Sequence, residues 1–130
     1  MDYKNLIKAA KLAKKNSHSP YSKFRVGAAI LTKSRKIYSG CNIEISSYSL
    51  TICAERTALF KAISEGEKKF VALALSTDEE GFTSPCGACR QVISDLAGDI
   101  DIILTNGKGK VKLLRTSDLL PHPFTPNNLI

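Results

Sequence analysis

The stretch 100-IDIILTNGKGKVKLLR-115 carries two apolar strand patterns, 100-IDIILT-105 and 111-VKLLR-115, on either side of Asn106-Gly107-Lys108-Gly109-Lys110. A parallel pair needs a crossover of a dozen or more residues, whereas this connection is a short glycine-rich turn. The two strands are therefore expected to be antiparallel neighbours. Upstream, 70-FVALALST-77 is a continuous apolar run of the kind covered on both faces. A helix expected from Ser84-Pro85, turning Val92, Ile93 and Leu96 inward, separates it from Ile100, so strands three and four should be parallel. Nearer the start, 26-VGAAILTK-33 and 36-KIYSGCN-42 flank a short basic turn and form an antiparallel hairpin. Two further helices are expected. One covers about 2–16, and the other runs from Thr51 to Glu65, with Ala58, Leu59, Ala62 and Ile63 on one stripe and Gly66 as its stop. The fold class that follows is α/β: a three-layer α/β/α sandwich around a mixed five-stranded sheet, with strands 4 and 5 antiparallel. One domain over 1–130 is expected, since there are no repeats, low-complexity tracts or dividing linkers.

The 130 residues suffice for a real core without disulfides. No export signal opens the chain, so Cys41, Cys53, Cys86 and Cys89 read as metal ligands or free thiols in a reducing cytoplasm. No apolar run approaches the length of a membrane span, and no membrane partner is expected. The net charge of +7 raises the question of nucleic acid. However, Lys4, Lys8, Lys11, Lys14 and Lys15 fall mostly on one side of the first helix, opposite Leu6, Ile7, Ala10 and Ala13. A solvated helix face accounts for them, and no basic stretch is interleaved with aromatics; no nucleic-acid partner is expected.

The chemistry concentrates in two short segments, 51-TICAE-55 and 84-SPCGAC-89. Each opens with a residue suited to capping a helix, Thr51 or Ser84, and places a cysteine two positions later. The unpaired N–H groups and positive dipole of a helix start favour thiolate over thiol at Cys53 and Cys86. Cys89 lies on the same face one turn after Cys86. Two such helix starts facing each other would bring three sulfurs to one ion. Tetrahedral zinc on three thiolates keeps one position open, which is the catalytic pattern.

Alone, C-x-x-C also fits a redox pair or half of a structural zinc site. A closed structural site would need Cys41, which lies in a strand pattern and reads as a buried free thiol. His18 and His122 sit in Ser/Pro-rich segments without ligand spacing and read as surface residues. Glu55 taken singly is a helix-start glutamate favoured by the dipole. Beside a three-cysteine open site it reads as the general acid/base of metal-assisted hydrolysis. Arg56 then has its own role: a guanidinium beside three thiolates draws off negative charge and restores the ion's Lewis acidity.

The pair 53-CAE-55 and 85-PCGAC-89 resembles the signature of the zinc-dependent nucleoside and nucleobase deaminases. Longer matches, 20-PYSKFRVGAA-29, 41-CNIE-44, 53-CAERTALFKA-62 and 84-SPCGACRQV-92, resemble the small cytidine deaminases of pyrimidine salvage. The resemblance implies Zn2+ on Cys53, Cys86 and Cys89, with Glu55 moving protons between water, the base and the departing ammonia. The substrates implied are cytidine and deoxycytidine. It further implies that Asn42 and Glu44 hold the sugar hydroxyls, that Phe24 walls the pocket, and that backbone amides around Ala54 meet the base carbonyl. The tail 119-LLPHPF-124 resembles the segment by which family members offer a phenylalanine, here Phe124, to a neighbouring site in a homotetramer. One departure is 45-ISS-47, where the family often has an Asn and small residues. Gln91 either supports the site or faces the helix surface.

Three rival functions are distinguishable. A blasticidin S deaminase shares Cys-Ala-Glu and Pro-Cys-Gly-x-Cys, but the Phe24, Asn42 and Glu44 set favours a nucleoside. Polynucleotide deaminases of this superfamily generally place a helix between strands four and five, where this chain has a turn. A structural zinc module predicts a fourth sulfur ligand, Cys41.

Overall fold

A computed structural model describes residues 2–129. Five strands, β1 (Val26–Thr32), β2 (Ile37–Cys41), β3 (Phe70–Thr77), β4 (Asp101–Thr105) and β5 (Val111–Arg115), form one sheet in the order β2-β1-β3-β4-β5. The helices are α1 (Lys4–Lys14), α2 (Ala54–Ser64), α3 (Gly87–Ala97) and a one-turn α4 (Thr116–Leu119). The expected directions hold: β3 and β4 are parallel, while β1–β2 and β4–β5 are antiparallel, with Ile103 opposite Leu113. β1 and β3 are also antiparallel, with Ala29 opposite Ala74.

Side-chain alternation along the strands sorts the core into two layers. On one face Ala29, Leu31, Ala72, Ala74 and Ile103 pack under Leu6 and Ala10 of α1. On the other, Ala28, Ile30, Leu73, Leu75, Ile102 and Leu104 pack under Ala58, Leu59 and Ala62 of α2 and Ile93 of α3. Small residues let the helices lie close. A Cβ on Gly27 would sit 2.0 Å from the Ala10 carbonyl oxygen of α1, and one on Gly40 would sit 2.6 Å from the Ala58 nitrogen of α2. Both glycines are required by this backbone-to-backbone approach. The C-terminal end of β3 is pinned where Asp78 accepts from Arg25 Nε at 2.8 Å and pairs with Lys14 Nζ at 2.8 Å.

Several expectations are corrected. α1 is shorter at both ends than 2–16. α2 starts at Ala54 rather than Thr51, because Ile52 bridges to Ile43 and Tyr48–Leu50 forms a separate turn of 3-10 helix. α3 starts at Gly87 rather than at Ser84-Pro85. Neither Thr51 nor Ser84 caps a helix; the caps are Cys53 and Cys86 themselves. Leu96 does not turn inward but is 39% exposed. Cys41 is half-buried rather than buried, and its thiol is pushed up by desolvation. α4 had no counterpart among the expected elements; Asp118 accepts from the Arg115 N–H at its start.

Candidate active site

α2 and α3 begin on the same face of the sheet, and their first residues define the site. Cys53 and Cys86 hold the same extended backbone at their helix starts, with φ/ψ of −72/154° and −64/165°. The Cys86 sulfur accepts from the Cys89 N–H at 3.4 Å, so the metal-ligand candidate is also the helix cap. The Sγ atoms of Cys53, Cys86 and Cys89 lie within 4.8 Å of one another, and Cys53 and Cys86 are 3.8 Å apart. Zinc bonded to sulfur at about 2.3 Å in tetrahedral geometry sets its ligands about 3.8 Å apart, so the three thiols fit that ion. Cys41 is not in the cluster, which argues against a closed four-sulfur site.

The charges around the sulfurs suit an anionic cluster. Arg56 Nη2 donates to Cys53 Sγ at 3.4 Å, while Arg56 Nε is buried without a hydrogen-bond partner among the described residues. Absent a metal ion, the Cys89 thiol and then the Arg56 guanidinium stabilise the Cys53 thiolate and hold it well below the usual thiol range against the cost of burial. Cys89 is pushed well up by that neighbouring Cys53 and by its own burial. Glu55, only 5% exposed, is pushed up to about 7. Burial is the main cause, and the Cys53 charge adds to it against its own backbone N–H, Cys89 and Arg56.

These groups open on a cavity of about 180 Å³ lined by Cys53, Cys86, Ala54, Glu55, Phe24 and Asn42, and also by Thr51, Thr83 and Ser84. Asn42 is nearly buried and structurally committed. Its Oδ1 accepts from the Val26 N–H at 3.0 Å and from the Ser17 hydroxyl, and its Nδ2 donates to the Phe24 carbonyl at 2.8 Å. One Nδ2–H is left for a ligand, and the clamp fixes Phe24 on the wall. Glu44 does not line this cavity. It lies in an open neighbouring one of about 390 Å³ with Tyr21, Tyr48 and Thr51, and Thr51 lines both. Hydrogen bonds from the Ser22 side chain and from the Ser22 and Tyr21 N–H groups hold its carboxyl below the usual carboxylate range.

Phe124 is not brought to the cavity of its own chain. It is 57% exposed beside Phe60 and Leu96 on the outer side of α3, where Gln91 Nε2 donates to its carbonyl at 2.9 Å. Gln91 therefore holds the tail. His18 and His122 are exposed. Sequence reasoning missed Thr51, Thr83 and Ser84 as wall residues, having read Thr51 and Ser84 as caps. Adjacency of Ser84 to the Pro-Cys pair was the available signal.

The family model for the cytidine and deoxycytidylate deaminase zinc-binding region matches residues 1–104. The chain belongs to the cytidine and deoxycytidylate deaminase family. A cytidine deaminase of Sporosarcina psychrophila is 51% identical over 130 residues, covering 99% of this chain and 96% of its own. A cytidine deaminase of Halalkalibacterium halodurans is 47% identical, covering 99% and 98%. The crystal structure of the Burkholderia pseudomallei cytidine deaminase superposes with a TM-score of 0.91 at 45% identity, covering 95% of this chain and 100% of that one. Membership of this deaminase family makes the chain a zinc-dependent hydrolase, in agreement with the three-sulfur cluster. Among the described residues no helix is long and apolar enough to cross a membrane.

Proposed function

We propose that the chain hydrolyses cytidine and 2'-deoxycytidine to uridine and 2'-deoxyuridine with release of ammonia, as a step of pyrimidine salvage. The observation that carries this reading is a cluster of three sulfurs, two of which, on Cys53 and Cys86, line one small cavity together with the buried Glu55 carboxyl. Zinc on Cys53, Cys86 and Cys89 supplies a Lewis acid that makes water nucleophilic near neutral pH. Glu55 takes a proton from the attacking water and delivers it to N3 of the base as the C4–O bond forms. It then carries the water's second proton to the C4 amine, the C–N bond breaks, and ammonia departs. Burial raises the Glu55 carboxyl above the usual carboxylate range, which suits it to both directions of that transfer.

The remaining roles support this chemistry. Arg56 offsets the negative charge of the thiolates through its contact with Cys53. The Ala54 amide, at the first helical position and on the cavity wall, is free to donate to the base carbonyl. Phe24 flanks the base, and Asn42 and Glu44 take the sugar hydroxyls, Glu44 across the boundary marked by Thr51. Exposed Phe124 reaches a neighbour's site in a homotetramer, consistent with the apolar surface around it. The chain acts as one domain in the cytoplasm, in keeping with four unpaired cysteines.

Loss of cytidine absorbance tests the reading, with the zinc-loaded chain run beside Glu55→Ala and Arg56→Ala. Wild type should turn over, Glu55→Ala should lose at least about a thousandfold in kcat, and Arg56→Ala should lose both rate and zinc retention. Equal activity of wild type and Glu55→Ala would end the mechanism.

A further inference from the structure

The segment 78–86 links the end of β3 to the start of α3 and carries Ser84 and Cys86 on the cavity wall. Its first part is held, since the Gly107 N–H donates to the Glu79 carbonyl and Asn106 Nδ2 to the Glu80 carbonyl. Beyond Glu80, residues 81–85 have hydrogen bonds to one side chain only among the described residues, that of Arg90. Arg90 sits one turn into α3 with its half-buried guanidinium directed back over the helix start. Nε donates to the Pro85 carbonyl at 2.8 Å and Nη2 to Ser84 Oγ at 2.8 Å. Nη1 donates to the Leu119 carbonyl at 2.9 Å.

The third bond gives the arrangement its direction. Leu119 ends α4, and its carbonyl is one that a helix terminus leaves without an intrahelical partner. α4 is itself fixed to the sheet, because the Thr116 N–H donates to the Ile100 carbonyl and Thr116 Oγ1 accepts from the Ile100 N–H. Arg90 therefore spans from a fixed point beside the sheet to a wall that, beyond the packing of buried Pro85, no other side chain among the described residues hydrogen-bonds. A planar fork with donors in three set directions meets three acceptors at once, which a lysine ammonium on a flexible stem does not.

We propose that Arg90 is a positioning residue for the reaction: it holds the Ser84–Pro85 wall in register with Cys86 and Glu55 without touching substrate. The inference rests on the proposed cytidine hydrolysis for its kinetic test. In zinc-loaded protein, Arg90→Gln should lower kcat/KM for cytidine about 10- to 100-fold, the scale expected when reacting groups are misplaced by a fraction of the substrate's size. Arg90→Lys should recover part of the loss. Ser84→Ala should cost less, and the Ser84→Ala/Arg90→Gln double variant should be no worse than Arg90→Gln alone, because the two substitutions break one connection. Zinc content should stay at the wild-type value. A merely structural arginine would lower Tm while leaving kcat and KM at wild-type values in the folded range, and that result overturns the proposal. So does a double variant whose losses multiply.

Chymotryptic cleavage after Phe82, which is exposed in the same segment, gives a readout independent of turnover. It should quicken in both Arg90 variants, and unchanged cleavage overturns the proposal. Wild type that is inactive on cytidine would refute the proposed function, whereas the cleavage rates would still decide what Arg90 holds.

Discussion

Replacing Gly40 by alanine should damage the metal site through the backbone of α2. The added Cβ would meet the Ala58 nitrogen at 2.6 Å and the Thr57 Cβ and Cγ2 at 2.8 Å each. Carbon atoms in contact ordinarily sit about 3.5–4.0 Å apart, so α2 must retreat by about 1 Å. Overpacking of this kind costs about 1–3 kcal/mol, and a clash with helix backbone, which has no rotamer to escape into, belongs at the upper end. For a chain of this size that is a fall in Tm of roughly 10 °C. The same retreat carries Cys53, whose carbonyl accepts from the Thr57 N–H at 3.1 Å, away from its 3.8 Å separation from Cys86. Metal sites tolerate only about 0.2 Å in their ligand distances, so zinc affinity should fall as well. Gly27→Ala is the matched comparison. Its Cβ would meet the Ala10 oxygen at 2.0 Å, but on the α1 face, where no metal ligand is attached. Thermal denaturation and competition with a chromophoric zinc chelator separate the two. Both variants should melt lower, and only Gly40→Ala should release zinc more readily. Gly40→Ala with wild-type Tm and affinity, or Gly27→Ala releasing zinc equally well, would refute the reasoning.

Two further outcomes follow from buried groups. Glu55 has its carboxyl raised from 4.5 to about 7, so the folded chain without metal holds a proton that the unfolded chain has lost between those values. The stability this proton confers is full below pH 4.5 and is lost as pH rises through about 7. At 1.36 kcal/mol per unit the loss is roughly 3 kcal/mol. Chelator-treated Glu55→Gln should match wild type in urea unfolding near pH 4.5 and exceed it by that amount near pH 8; parallel curves would show that the carboxylate is not desolvated. Ser76, fully buried on the α1 side of β3, has a hydroxyl without a hydrogen-bond partner among the described residues. Ser76→Ala should therefore be neutral or stabilising by about 1 kcal/mol in the same assay, and a loss of that size would reveal a partner for the hydroxyl.

The architecture was legible wherever a local signal had one solution. The turn 106–110 is too short for a crossover, which determined the direction of β5, and uniform apolarity in 70–77 required cover on both faces of the sheet. The cysteines were legible because C-x-x-C at a helix start leaves few geometries, and the structure gathers the same three residues named from spacing. What sequence could not decide was which of several candidate caps starts each helix. Ser and Thr are better caps than Cys in isolation. Here a non-local bridge from Ile43 to Ile52 draws the chain before Cys53 into extended form, and Arg90 takes the Ser84 hydroxyl that capping would have used. Leu96 failed for a related reason. Its helical period pointed inward, but the inward stripe of α3 runs through Ile93 and Ala97, and Leu96 instead joins Phe60 and Phe124 outside.

The displaced caps bear directly on the chemistry. Had Thr51 and Ser84 capped their helices, Cys53 and Cys86 would lie within the first turns, each sulfur one position removed from the helix entrance. As caps, both hold extended backbone, and Cys86 spends a sulfur lone pair on the Cys89 N–H while keeping others for a metal. A thiolate that accepts a backbone N–H is a weaker electron donor to an ion, as is one paired with Arg56. Three thiolates on one zinc would otherwise leave an anionic centre poorly suited to activating water. The two-residue shift in helix starts thus lets a backbone N–H offset the charge on Cys86, while Cys53, which accepts none, is met by Arg56, a division of labour that residue spacing alone did not reveal.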